Sequence, residues 1–221
     1  MRGLYAIADV EALERRDLDP VRFAAGVIAA RPAALQLRDK TGGARRTLAL
    51  LRAIAPLAAQ ASVPFFANDR PDLAVLARCP GVHVGQDDLP VAACRSISSR
   101  LLVGLSTHDA AQVEAALAEG PDYIAVGPIF PTTGKDKPSP VVGIELLAAF
   151  AGRVHRARPG VPVVAIGGIS AATAAEVGRV ADAAAVIGAL LPEATGDAAY
   201  DEVTERARAL HAALRGNGGG A

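Results

Sequence analysis

The stretch GLYAIADVEAL, residues 3–13, decides between two folds. It opens as a strand-like apolar run, stops on Asp9 and continues directly into a helix-forming segment. An open doubly wound sheet usually sets a Gly-rich phosphate-binding turn straight after its first strand. No glycine stands between Asp9 and Leu13. Outward from there the same unit recurs, giving eight strand candidates: 3–9, 33–39, 64–69, 81–86, 101–107, 122–129, 161–169 and 183–190. Ala/Leu-rich segments with helical spacing lie between them, at 21–30, 45–60, 71–77, 109–120, 143–154 and 170–180. Strict alternation predicts a parallel sheet, because parallel neighbours need a connection long enough to return over the sheet. Eight repeats suit closure, so the expected fold is an α/β (β/α)8 TIM barrel over residues 1–214, followed by a flexible tail at 215–221 (RGNGGGA).

One connection is longer than the rest. The segment GPIFPTTGKDKPSPVVG, 127–143, holds four prolines and three glycines and cannot form a helix, so an extended loop is expected after the sixth strand. Loops of that length in compact barrels usually carry function.

Composition narrows the partners. Of 221 residues, 51% are apolar, and 23 Lys plus Arg balance 23 Asp plus Glu. A net charge of zero supplies no global field for nucleic acid or an anionic membrane. No apolar run approaches the roughly 20 residues of a membrane span, and the N-terminus shows no export leader. A cytoplasmic protein is the expectation, with small-molecule partners and a homo-oligomer compatible with it. Cys79 and Cys94 have neither metal nor redox spacing and read as buried or half-buried thiols.

In a closed barrel the chemistry gathers at the C-terminal ends of the strands. Those ends carry Gln36, Arg38 and Lys40; Asn68 and Asp69; Gln86, Asp87 and Asp88; Ser106, Thr107 and His108; Thr132, Thr133 and Lys135; Gly167 and Gly168; and Ile187 and Gly188. Strand alternation puts Gln36, Arg38 and Lys40 on one side, with Asp39 on the other. The Gly-Gly pair before a helix start suits a phosphate on bare N–H groups, or simply a tight turn. Asp69 and Asp88, at neighbouring strand ends beside basic residues, suit Mg²⁺ shared with substrate phosphates. Each aspartate also precedes a proline-led helix start and could be a cap. Arg38 and Lys40 could pair with Asp39, and Ser106 could cap the next helix. Without clustered His or Cys, zinc is not expected.

The motifs QLRDK, FFANDR, GVHVGQDDLP, GLSTH, YIAVGPIFPTTGK and AIGGI, in that order, resemble the thiamine phosphate synthase family across residues 3–212. The resemblance implies joining of a hydroxymethylpyrimidine diphosphate to a thiazole phosphate, with Mg²⁺ as cofactor. It implies that Gln36, Arg38, Lys40, Asn68, Ser106 and Lys135 hold the pyrimidine diphosphate, with Arg38, Lys40, Ser106 and Lys135 as the catalytic set. Asp69 and Asp88 would hold the metal; Thr132, Thr133, Gly134, Gly168, Ile187 and Gly188 would line the thiazole phosphate side. Two positions depart from the family pattern: Gly134 replaces a threonine, and Gly188 stands where a serine is common. A thiazole tautomerase and a non-catalytic phosphate-binding regulatory barrel are the alternatives of the same fold.

Overall fold

The computed structural model describes residues 1–132 and 140–216. Eight parallel strands close in chain order into a barrel: β1 Gly3–Asp9, β2 Ala34–Arg38, β3 Phe65–Asn68, β4 Gly81–Val84, β5 Leu102–Thr107, β6 Tyr123–Val126, β7 Val163–Ile166 and β8 Ala183–Val186. β1 pairs with both β2 and β8, which seals the sheet against the edge pairing that open sheets risk. The TIM barrel expected from the alternation is the fold observed. The helices are α1 Val10–Glu14, α2 Pro20–Ala29, α3 Ala44–Gln60, α4 Pro71–Leu76, α5 Val91–Ile97, α6 Ala110–Glu119, α7 Gly143–Ala157, α8 Ala171–Val180 and α9 Ala198–Arg215. Among the described residues, no helix is long and apolar enough to cross a membrane.

Local chemistry sets the helix ends. Asp19 accepts from the Arg22 N–H at 2.8 Å and is followed by Pro20, whose fixed φ suits a first turn. Asp109 does the same for α6 through Gln112, and that helix stops at Gly120 with φ 69°. Ser170 and Thr173 form a reciprocal capping box on α8. At the other end of the chain, α9 runs one residue into the expected tail, to Arg215, and Gly216 closes it at φ 64°. Residues 217–221 of that tail lie outside the described residues.

Alternation along the strands makes two cores. Outward residues such as Leu35, Leu37, Val82 and Val84 pack under the helices. Inward ones, led by Tyr5, Phe66 and Tyr123 with Ile7 and Val164, fill the barrel. Three large rings fit there because their neighbours are small. In the register His83, Gly104 and Tyr123 stand side by side, and a Cβ on Gly104 would lie 2.0 Å from Cζ of Tyr123. The missing side chain lets the Tyr123 ring cross and stack on His83, with centroids 5.6 Å apart. Gly81 similarly makes room for Phe66. Cys79 and Cys94 are buried and unpaired, and burial pushes the Cys79 thiol up to about 12, where it stays protonated.

Three strands end three or four residues sooner than the apolar runs suggest, and β4 ends two sooner, at Val84. β6 stops at Val126, before Pro128; β7 stops at Ile166, before Gly167 and Gly168 take φ 99° and 66°. The run 183–190 divides into β8 and a 3-10 turn, Gly188–Leu190. At the opposite end of the barrel two aspartates tie adjacent strands. Asp122 exchanges both backbone and side-chain hydrogen bonds with Val103, donating its N–H at 2.7 Å and accepting at 2.8 Å. Asp182 repeats the arrangement with Val163 and also meets His155.

Candidate active site

The first arc of the mouth comes from β1 to β5. β1 and β2 are in register at Asp9 and Arg38, and these side chains form an ion pair largely shielded from water. The second oxygen of Asp9 accepts from the Ala12 N–H at 2.9 Å, so one carboxylate both starts α1 and holds the guanidinium. Asp39 turns the other way, as the alternation requires. It accepts from the Gly42 N–H, Thr47 and Arg46, contacts that outweigh the cost of its burial and keep its carboxyl below the ordinary value. Asp39 is therefore not the counter-ion of Arg38 or Lys40; it fixes the loop from which Lys40 projects.

Lys40 Nζ instead meets Asp69. Asp69 sits in the left-handed region at φ 61°, which costs a non-glycine residue energy and is sustained by the bond from its N–H to the His83 carbonyl at 2.8 Å. Burial, and after it contact with Asp88, raises the Asp69 carboxyl above its usual value, with Lys40 working against the rise. Neither aspartate is a cap. The N-cap positions of α4 and α5 are Arg70 and Pro90, without side-chain cap bonds, while Asp88 accepts from the Gly85 N–H at 2.8 Å. Two carboxylates are thus brought together for a reason other than helix formation. They suit a hard divalent cation completed by phosphate oxygens. Among the described residues no group of three or more His, Cys, Asp or Glu offers an all-protein metal cage.

Ser106 is not a cap either, since Asp109 fills that role for α6. Its hydroxyl lies 2.8 Å from His83 Nε2, and its carbonyl accepts from Gln86 Nε2 at 2.6 Å, tying the ends of β4 and β5. His108 turns its Nδ1 to the Gly127 carbonyl at 2.5 Å, at the root of the loop after β6. Asn68 ends β3 half-buried, opposite His83 in the register, and Gln36 is buried with Nε2 on the Tyr5 hydroxyl.

The second arc comes from β6 to β8. The loop after β6 packs on the glycine pair: Phe130 N–H donates to the Gly167 carbonyl at 3.0 Å, and a Cβ on Gly168 would come within 2.6 Å of the Pro131 carbonyl oxygen. Positive φ and close approach together require glycine there. That packing sets Pro131, the residue before Thr132, against Gly168. Ile187 leans into the barrel core, and Gly188 opens the 3-10 turn, whose first N–H groups have no partner within the turn. Paired with the start of α8, this is the geometry in which barrels hold phosphate. Thr133, Gly134 and Lys135 lie outside the described residues.

Sequence reading missed Asp9, Tyr5, Tyr123 and His83. Asp9 carries one signal, parity, since it alternates with Tyr5 and Ile7 on the inward face of β1.

Fold and mouth define a TIM-barrel enzyme with its polar residues gathered at one end of the strands. The family model for thiamine monophosphate synthase matches residues 4–190. A thiamine-phosphate synthase of Chloroflexus aurantiacus is 38% identical over 210 residues, covering 95% of this chain and 91% of that protein. One of Anaeromyxobacter dehalogenans is 44% identical over 199 residues, covering 89% and 84%. The solved thiamine phosphate pyrophosphorylase of Pyrococcus furiosus superimposes with a TM-score of 0.80 at 26% identity, covering 96% and 95%. The chain belongs to the thiamine monophosphate synthase family.

Proposed function

We propose that this chain condenses 4-amino-5-hydroxymethyl-2-methylpyrimidine diphosphate with hydroxyethylthiazole phosphate, releasing diphosphate and giving thiamine phosphate. The observation that carries the reading is the Asp69 and Asp88 pair, raised in proton affinity at Asp69, free of capping duty and met by Lys40, with the Arg38–Asp9 pair at the end of the neighbouring strand β2. Asp69 and Asp88 would hold Mg²⁺, which supplies Lewis-acid stabilisation of the departing diphosphate. Arg38, anchored by Asp9, and Lys40 add fixed positive charge where negative charge grows. The methylene of the pyrimidine loses diphosphate first, and the thiazole nitrogen then attacks the resulting cation. The nitrogen brings its own lone pair, so bond formation needs no general base. Gly168 and the turn at Gly188 would seat the thiazole phosphate on backbone N–H groups. This accommodates the glycine at position 188, because the donors belong to the main chain.

The test is direct: purified protein, both phosphorylated precursors and Mg²⁺, with detection of thiamine phosphate. Product formation supports the reading, and Asp69→Ala or Asp88→Ala should lower it by at least about a hundredfold. Interconversion of thiazole isomers without product would assign a tautomerase instead. Phosphate binding without either reaction would assign a regulatory barrel.

A further inference from the structure

We propose that a buried chain of side chains, Gln36 to Tyr5 to Tyr123 to His83 to Ser106, fixes the Ser106 hydroxyl as a donor aimed into the mouth, with the two tyrosines and His83 as positioning residues. The inference rests on the transfer reaction proposed above for what Ser106 touches, but the chain itself is a property of the barrel interior. Five strands contribute one group each. Gln36 Nε2 lies 2.9 Å from the Tyr5 hydroxyl, the two phenol oxygens are 2.7 Å apart, Tyr123 is 2.8 Å from His83 Nδ1, and His83 Nε2 is 2.8 Å from Ser106 Oγ. Tyr5 and Tyr123 are 1% and 2% exposed, inside an apolar shell of Ile7, Phe66, Ala125 and Val164. In such surroundings an unmade hydrogen bond is costly and neighbouring bonds polarise one another.

Counting hydrogens gives the chain a direction. Burial holds both phenols far above their ordinary acidity range, so each keeps its single hydrogen. With Gln36 Nε2 donating to Tyr5, the Tyr5 hydrogen goes to Tyr123 and the Tyr123 hydrogen to His83 Nδ1. A neutral His83 ring then carries its hydrogen on Nε2 and donates to Ser106 Oγ. The Ser106 hydrogen is left to point outward. Running the chain backwards needs the Gln36 amide to turn over, because the Tyr5 hydrogen must otherwise lie without an acceptor. The amide at one strand end thereby governs a hydroxyl four links away, across the barrel. A serine committed to donation can stabilise charge growing on a departing oxygen.

The full chain labelled with ¹⁵N tests this through the ring nitrogens of His83, read without substrate, alongside steady-state kinetics. The wild-type ring should be protonated at Nε2, with Nδ1 showing an accepted hydrogen bond. Tyr123→Phe should release Nδ1 and mix the tautomers, and Tyr5→Phe, which touches neither the imidazole nor the serine, should move the same resonances by less. Turnover should fall about tenfold in Tyr123→Phe and about threefold in Tyr5→Phe, with KM for the pyrimidine diphosphate within about twofold. If either variant folds poorly, 3-fluorotyrosine in the wild-type chain sharpens the phenol donors without altering packing and should shift the His83 nitrogens. Tyr5→Phe with unchanged nitrogens and turnover overturns the proposal, as does a wild-type ring protonated at Nδ1. Absence of product from wild-type protein would sink the reaction assignment while leaving the nitrogen result standing.

Discussion

Gly104→Ala should be among the most damaging single-methyl additions available to this barrel. The new Cβ would stand 2.0 Å from Tyr123 Cζ and 2.4 Å from its hydroxyl. Carbon contacts relax near 3.5 Å, so the ring must retreat by about 1.5 Å. Its bonds to Tyr5 and His83, now 2.7 and 2.8 Å, would then exceed hydrogen-bonding distance. Overpacking costs about 1–3 kcal/mol, and each buried group left unpaired about 1–3 kcal/mol more. Allowing for partial relaxation, the loss is about 4 kcal/mol, or roughly 8–16 °C in Tm for a chain of this size. Gly81→Ala is the control. Its Cβ would lie 2.3 Å from the Phe66 ring, but no side-chain hydrogen bond depends on that ring, so about 2 kcal/mol is expected. Urea unfolding of both variants, with m unchanged, measures the difference. Adding Tyr123→Leu should make the alanine at 104 almost free, which a double-mutant cycle would read as strong coupling. Equal losses at 81 and 104, or no coupling to position 123, would refute the reasoning.

Other expectations follow from the same contacts. Asp9→Asn leaves Arg38 without its carboxylate and should lower kcat/KM about tenfold, measured against an unchanged circular dichroism spectrum. Asp88→Asn removes the charge that opposes Asp69, so the metal-free variant should unfold at no lower urea concentration than wild type, and Mg²⁺ should no longer raise its midpoint. His211 accepts from the Leu4 N–H at 3.3 Å, and burial, then Arg215, depresses its proton affinity below the usual 6.5. The unfolded chain therefore binds that proton first on acidification. The stabilisation should be full above about pH 6.5 and fade below it, and His211→Gln should flatten that part of the Tm profile.

The fold was legible because alternation survives at every scale. Eight apolar runs with helices between them can hardly close otherwise, and β1 begins and ends where its run does. The overruns at β6, β7 and β8 arise because apolar character continues through Pro128, Gly167 and Gly188, where the backbone no longer pairs. The first arc of the mouth was legible from residue type: charges at strand ends have few other reasons to be there. Choosing between cap and ligand for Asp69 and Asp88 needed coordinates, since a Pro-led helix start looks alike whether or not the preceding aspartate bonds to it. His83 and Tyr123 were hidden for a different reason. Each sits in an apolar strand as a lone polar group, and only the register, with Gly104 between them, shows that they touch.

Asp122 and Asp182 fasten their strands at the far end from the mouth, through contacts that involve none of the residues assigned to substrate. Part of the barrel's durability is consequently lodged in the hemisphere away from the rim. Rebuilding the rim for a different phosphorylated guest would leave those clasps intact, and a lineage could trade one chemistry for another while keeping the same chassis.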